Sequence, residues 1–284
     1  TFSNPINGKA TINLLCKSTL DRILAADIES INGSLNVDVE NLKVNMLNNY
    51  TAAIDNINFS TTAPLTDSYK SAFSEFIAEG LRNPRYRTYA CLLKFSNLNV
   101  DFPYLKLNVP HGTGEIAEKY DFKKTNNEVP DSKVGFTIDD ISLAIDTDRI
   151  LLQKPYVEIN LKPQKSNPQL QTWWLDVHTD SLICKFGKGG DYTSMGKVTF
   201  HSETNETKNS ANYMLQWDPD VKFEASDFKT HYVGNSVLIP HIKATYHHQN
   251  AILDDFRVII GNSDFRLSGK LNNLGGWMAD QGKL

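Results

Sequence analysis

Alternation of apolar and polar residues with a period of two dominates this chain of 284 residues and constrains its fold more than any motif. It is clear in Leu35-Val37-Val39, Leu105-Leu107-Val109, Val134-Phe136-Ile138, Val157-Ile159-Leu161, Trp173-Leu175-Val177, Val221-Phe223-Ala225 and Val258-Ile260. The residues between them are mostly Asn, Asp, Lys, Thr, Ser or Glu. Successive side chains of a strand point to opposite faces, so each segment has one apolar and one polar face. Purely parallel sheets, covered on both sides, read instead as unbroken apolar runs. The pattern therefore predicts an all-β chain built on a mainly antiparallel sheet.

In places the alternation slips by one residue and resumes. Leu35-Val37-Val39 gives way to Leu42-Val44-Met46 across Glu40-Asn41, and Ile138 gives way to Ile141-Leu143-Ile145 across Asp139-Asp140. A slip turns every later side chain to the wrong face unless a bulge absorbs it. Repeated bulges bend and twist a sheet, so the expectation is long strands in a curved sheet forming a groove or half-barrel. Asn32-Gly33, Gly187 to Gly190, Gly234-Asn235 and Gly261-Asn262 read as turns. Gly8-Lys9, Gly33-Ser34, Gly196-Lys197 and Gly269-Lys270 read as glycines releasing the chain from a turn into a new strand, and Gly282-Lys283 opens another copy.

Only two stretches read as helical. One runs from Thr19 to Asp27. The other, a helical insertion near 66–82, runs from an Asp67 N-cap to Leu81, with Tyr69, Phe73, Phe76, Ile77 and Leu81 on one stripe and a stop before Asn83-Pro84. That helix is expected to plug one end of the sheet. Tyr120 to Ser132 reads as a solvated loop. With no linker in view, residues 1–284 read as one continuous β-rich unit.

Charge and composition exclude several classes. There are 29 Lys+Arg against 33 Asp+Glu, with no basic patch to follow a phosphate backbone, so no nucleic-acid partner is expected. Uninterrupted apolar runs such as Val258-Ile259-Ile260 are short, whereas a helical membrane span needs about 20 residues. The chain opens at Thr1 without a leader pattern and is expected to be a trimmed piece of something longer. Cys16, Cys91 and Cys184 form no close pair and share phase with apolar neighbours, as small buried hydrophobes do.

No chemistry-bearing constellation emerges. His247-His248, adjacent on a strand, are expected to point to opposite faces and to share no metal. Gly190 to Lys197 fails as a phosphate loop: its glycines are one residue too far apart, and Val198 stands where a hydroxyl belongs. Asp139-Asp140 and Asp254-Asp255 diverge and read as bulge or turn residues instead of paired acids. Trp173 and Trp174 must face opposite ways, and Trp217 and Trp277 read as packing residues. A non-enzymatic protein without cofactor or metal is expected.

One stretch carries a family resemblance. Asp255 to Asn273, with the turn Gly261-Asn262-Ser263-Asp264 followed by Phe265, Leu267 and Ser268-Gly269, resembles the AsmA family of bacterial envelope proteins, as found in Bacteroidetes. Val237-Leu238-Ile239-Pro240-His241 upstream fits the same habit, and Gly8 to Val44 more loosely. Locally, Ser263 and Asp264 are expected to accept turn amides. The resemblance implies a periplasmic protein whose parent chain is anchored in the inner membrane. It also implies a role in outer-membrane assembly with envelope-protein partners, and kinship to bridge-like lipid carriers. On that basis Leu35, Val37, Val39, Leu105, Leu107 and Val134 are expected to line a groove for phospholipid acyl chains. Phe136, Ile138, Val157, Ile159, Val258 and Ile260 complete that lining, and Gly261, Asn262, Ser263, Asp264 and Gly269 form a structural hairpin. The alternative is a closed β-sandwich that docks proteins or glycans, with Trp173 or Trp174 as anchor.

Overall fold

The computed structural model describes residues 6–17, 19–24, 32–46, 50–63, 73–83, 85–121, 129–206 and 219–274. All its strands belong to one 17-stranded sheet in which every pairing is antiparallel. The long strands β1 (Ile6–Lys17), β2 (Asn32–Met46), β3 (Tyr50–Ala63), β4 (Tyr86–Phe102) and β5 (Leu105–Asp121) pair in chain order. The middle of the sheet consists of strands broken once. These are β6 (Asp131–Ile138) with β7 (Asp140–Ile145), and β8 (Asp148–Gln153) with β9 (Tyr156–Pro163). They are followed by β10 (Gln171–Thr179) with β11 (Ser181–Phe186), and β12 (Asp191–Met195) with β13 (Val198–Asn205). β14 (Asp220–Tyr232), β15 (Asn235–His247), β16 (Asn250–Ile260) and β17 (Ser263–Leu271) complete the order.

With each broken pair counted as one strand, four of the seventeen are second halves and thirteen long strands remain. Upper halves pair β5–β6–β9–β10–β13–β14 and lower halves β5–β7–β8–β11–β12–β14. The result is an up-and-down meander curled into a groove-like half-barrel. A closed sandwich needs two sheets, and the described strands form one.

The breaks lie at one level and form a seam across the sheet. In β1 and β2 the register jumps between Asn7 and Lys9, leaving Gly8 against Asn41 and Leu42. Farther along, Asn41 meets Asp55, and Asn97 meets Pro110, between paired neighbours. Asp139 then meets Lys154, whose amide donates to the Asp139 carbonyl at 2.5 Å. Asp180 donates to Gln153, Gly196 to Ser226, and Asp227 stands against Pro240. The last slip falls at Asp254-Asp255 in β16, opposite Ser268. At each crossing one extra residue takes up the slip, so apolar residues above and below it share a face.

The residue types follow from the conformation. Asn41, Asn97, Lys154 and Asp227 have φ near +50°, a region that Asn and Asp reach most easily among residues with a Cβ. Pro110, Pro155 and Pro240 occur where a ladder donor is not required. Polar contacts lace the seam on the opposite face: Asn97 Nδ2 donates to Asp55 at 2.7 Å and Lys154 pairs with Asp180 at 3.5 Å.

The slips at Glu40-Asn41 and Asp139-Asp140 are where the sequence places them. The glycine reading needs correction. Gly8, Gly196 and Gly269 sit at or beside the seam within long strands, not at hairpin starts: Gly8 takes a φ of +153° in its bulge, as only glycine readily does, and Gly196 lets the Ser226 backbone approach to where a Cβ would stand. Gly187 to Gly190, Gly234 and Gly261-Asn262 do form turns.

Helix α1 spans Leu20–Leu24 and α2 spans Ser74–Arg82. α2 begins later than expected, with Phe73 at its N-cap and no side-chain cap, and stops before Asn83 as expected. Asp67, Tyr69, Trp217, Trp277, Gly282 and residues 122–128 of the expected loop lie outside the described residues.

The seam makes a direct prediction. Asn97→Val forces a β-branched residue to φ > 0 and should cost about 1–3 kcal/mol, while Asn97→Gly should stay within about 1 kcal/mol of the parent. Urea unfolding monitored by circular dichroism checks both, and equal effects would contradict a left-handed bulge there.

Candidate functional site

Cross-strand register assembles the apolar residues into one face. Above the seam Val37 pairs with Ile12 and Phe59, Phe59 with Leu93, Val134 with Ile116 and Ile159, and Phe200 with Val177 and Phe223. Below it Leu107 pairs with Val100 and Leu143, Leu152 with Ile141 and Leu182, and Val258 with Phe265. All twelve residues expected to line a groove fall in this phase: Leu35, Val37 and Val39 on β2, Leu105 and Leu107 on β5, Val134, Phe136 and Ile138 on β6, Val157 and Ile159 on β9, and Val258 and Ile260 on β16.

No second layer covers this face among the described residues. Leu93, Ile116 and Phe136, at the centre of the sheet, keep 36%, 42% and 48% of their surface exposed. Burying such a side chain is worth about 1.5–3 kcal/mol, so the face withholds a large amount of stabilisation. Phe95 and Phe136 lie flat over Gly112 and Gly114 of the neighbouring strand, where a Cβ would stand 2.2 Å from Phe95 Cζ and 3.1 Å from Phe136 Cε1. The floor is thereby paved with aromatic rings.

The face also lacks charge. Glu118, opposite Tyr89, falls in this phase at one end of the strands, and Asp148 and Asp191 at the other. Between those rims no described Lys, Arg, His, Asp or Glu shares the phase. The Cys91 and Cys184 thiols lie half-buried on it, and burial pushes both upward from their ordinary range. Nothing is described of the Cys16 side chain.

The one clustered core of the described residues forms on the opposite face. Phe73, Phe76 and Ile77 of the α2 region bury Ala90 of β4 and Ala117 of β5. α2 therefore lies flat on the outer surface instead of plugging an end. The signal was in the sequence: Ala90, Leu92 and Ala117 interrupt the polar phase of β4 and β5. Lys119 passes beneath the helix, bonded to Glu79 at 2.8 Å and stacked 4.1 Å from the Phe76 ring centre, and it holds the Glu79 carboxyl below its usual range. Burial pushes Asp131 upward despite Lys119 at 3.4 Å. Around them Glu75, Arg82, Lys133 and Lys162 line a mixed-charge hollow of about 570 Å3.

Histidines on the outer face pair with carboxylates. His111 meets Asp139 at 3.1 Å, His201 meets Asp176 at 2.7 Å, His241 meets Asp255 at 3.2 Å, and His247 meets Asp220. His247 ends β15 and His248 begins the turn with φ +48°, so their rings meet 3.8 Å apart instead of pointing to opposite faces. Among the described residues no group of three His, Cys, Asp or Glu side chains is placed to hold a metal. Trp173 pairs with Leu161 on the apolar face, while Trp174 pairs with Asn160 on the other, below Lys162.

In the C-terminal hairpin Gly261-Asn262 turns the chain, Phe265 faces Val258, and Gly269 faces Leu253. Asp264 takes a fork from Arg257, at 2.9 Å from Nε and 2.5 Å from Nη2, in place of the expected turn amide. That fork holds its carboxyl below the usual range. Comparison of the chain with protein-family profiles, with characterised proteins and with solved structures returned no significant match.

The outer face carries a pH prediction. Burial alone would raise the Glu158 carboxyl, but Tyr156, Asn160 and Lys133 bond to it and hold it below the ordinary range. A depressed native value means that Glu158 stabilises the fold above about pH 4.3, its unfolded value, and loses that contribution as pH falls toward its folded one. Glu158→Gln should therefore flatten the loss of stability between neutral and acidic pH, measured by denaturant midpoints. Parallel profiles would contradict the assignment.

Proposed function

We propose that this chain is a non-enzymatic, AsmA-like carrier that holds or conducts lipid acyl chains along the apolar face of its half-barrel. One observation carries the reading: an apolar face that is continuous across the sheet and that, among the described residues, is uncovered at its centre and free of charge between its rims. The side chains there are half-shielded by one another and, among the described residues, by no second layer.

Hydrocarbon tails satisfy such a surface because they need no directional partner. A phosphate or ammonium group placed on it would be desolvated without a counter-charge, at a cost of several kcal/mol, so headgroups remain outside in solvent. A residence in the periplasm, an inner-membrane anchor on the parent chain, envelope-protein partners and support of outer-membrane assembly follow as parts of the same proposal, by resemblance of the Asp255–Asn273 stretch. The sandwich reading gains no support from the described strands, since they leave no second sheet to seal the face.

Solvent extraction of purified protein followed by lipid mass spectrometry tests the proposal. The parent chain should carry phospholipid, or take it up from vesicles after delipidation. Phe136→Glu, at an exposed position, sets a charge in the hydrocarbon path and should lower the load roughly 10-fold with the circular dichroism spectrum unchanged. A folded parent chain that neither carries nor accepts lipid would overturn the reading.

A further inference from the structure

The two ends of the strands differ in kind. At the upper end β5 leads to β6, β9 to β10 and β13 to β14 through residues 122–130, 164–170 and 206–219. At the lower end four successive hairpins close tightly: β4–β5 at Pro103-Tyr104, β7–β8 at Asp146-Thr147, β11–β12 at Gly187 to Gly190, and β14–β15 at Val233-Gly234. Their strands are neighbours in the interior of the sheet, so the turns follow one another about 10 Å apart. β7, β8, β11 and β12 run five or six residues from seam to turn, which leaves the turns level.

Each turn lifts a large apolar side chain into solvent: Tyr104, Ile145, Phe186, and the pair Tyr232 and Val233, which keep 65% and 69% of their surface exposed. Ile145, Phe186 and Tyr232 continue the apolar phase of their strands, so the apolar face runs out onto this lip. Val233 weighs most in the argument. It has φ +48° and Gly234 has φ +79°, positive at both central residues as in a type I′ turn. The first of those positions suits Asn or Gly and strains a β-branched residue. Val233 therefore costs stability by its backbone and again by its exposure, and an asparagine there would remove both costs.

The lip is also braced and charged. Asp148 accepts the Gly187 amide at 2.8 Å and Asp191 the Val233 amide at 3.0 Å, so each carboxylate ties its hairpin to the next. One step inside the lip, on the outer face, Arg149 and Lys185 stand directly opposite each other. Lys188 lies in the β11–β12 turn and Lys229 on β14. All four are exposed and have no ion pair among the described residues. Like charges directly opposite destabilise a strand pair, and an anion between them removes that repulsion.

We propose that this lower lip is a membrane-docking edge. Its apolar tips enter the interface of an anionic phospholipid bilayer, and Arg149, Lys185, Lys188 and Lys229 meet the headgroups. Such an interface is apolar at one depth and negatively charged at the next, which matches aromatic and aliphatic tips flanked by Lys and Arg. Because the turns end level, they can meet one surface together. The inference goes beyond the carrier reading and does not need the apolar face to hold lipid.

Flotation of the full chain with vesicles of phosphatidylcholine, with or without phosphatidylglycerol, tests it. The parent should float with the anionic vesicles, less with the neutral ones, and less again as salt rises. Val233→Asn should raise the denaturant midpoint yet lower flotation, because it relieves the backbone and removes an apolar tip. Phe186→Ser with Tyr232→Ser should weaken binding at least ~10-fold. Arg149→Glu with Lys185→Glu should do the same on anionic vesicles only. Lys94→Glu, on the outer face away from the lip, should leave binding unchanged. Loading of monomeric short-chain phospholipid onto the same variants should match the parent, so failure to dock is read apart from failure to carry. A folded parent chain that floats with neither vesicle, or lip variants that float as the parent does, would overturn the proposal.

Discussion

A one-residue slip, repeated at the same level in successive strands, is the constraint on which this architecture depends. β4 and β5 each run for 17 residues, and strict alternation over that length would fix each face by parity alone. The sequence breaks parity at Asn97 and Pro110, and at the matching residue of each neighbour through β16. Because partners slip together, the ladder resumes in register on both sides, and the main apolar phase of each strand stays on one face, with Ala90, Leu92 and Ala117 as exceptions beneath α2. A lone slip would have put one strand's valines and leucines into water. The bulges also bend the strands, which favours a curled sheet over a flat one.

Placing the apolar residues on one side divides the work of the two faces. The outer face holds the ion pairs, the histidine–carboxylate contacts and α2, whose phenylalanines enclose the one clustered core of the described residues. The apolar face has extent but no depth, and its central residues remain partly exposed. Backbone hydrogen bonding along the strands, more than side-chain interlocking, must hold such a sheet together. A surface organised in this way costs stability unless something covers it, and that is the physical link from the slip to the hydrocarbon-binding role proposed above.

Much of this was legible in the residues, and the failures share a cause. Period two and the slips at Glu40-Asn41 and Asp139-Asp140 report on faces, and faces are what a strand encodes locally. The partner of a local feature is not encoded there. Gly8, Gly196 and Gly269 read as hairpin starts because a glycine before a strand marks a turn and a bulge alike. The stripe Phe73-Phe76-Ile77 fixed the buried side of α2 without saying which face of the sheet it would meet. Ala90 and Ala117, apolar in a polar phase, held that answer. His247-His248 read as strand residues because the turn after β15 contains neither glycine nor proline.

Trp173 and Trp174 are neighbours in sequence on opposite faces of the sheet, and they give the most direct test of the central claim. Variants in which Trp217, Trp277 and one of the two neighbours are replaced by Phe, leaving Trp173 or Trp174 as the single tryptophan, incubated with phospholipid brominated on its acyl chains, would report which face meets hydrocarbon through quenching of the indole. The account predicts strong quenching of Trp173 and little of Trp174. Equal quenching of both, or quenching of Trp174 alone, would contradict it.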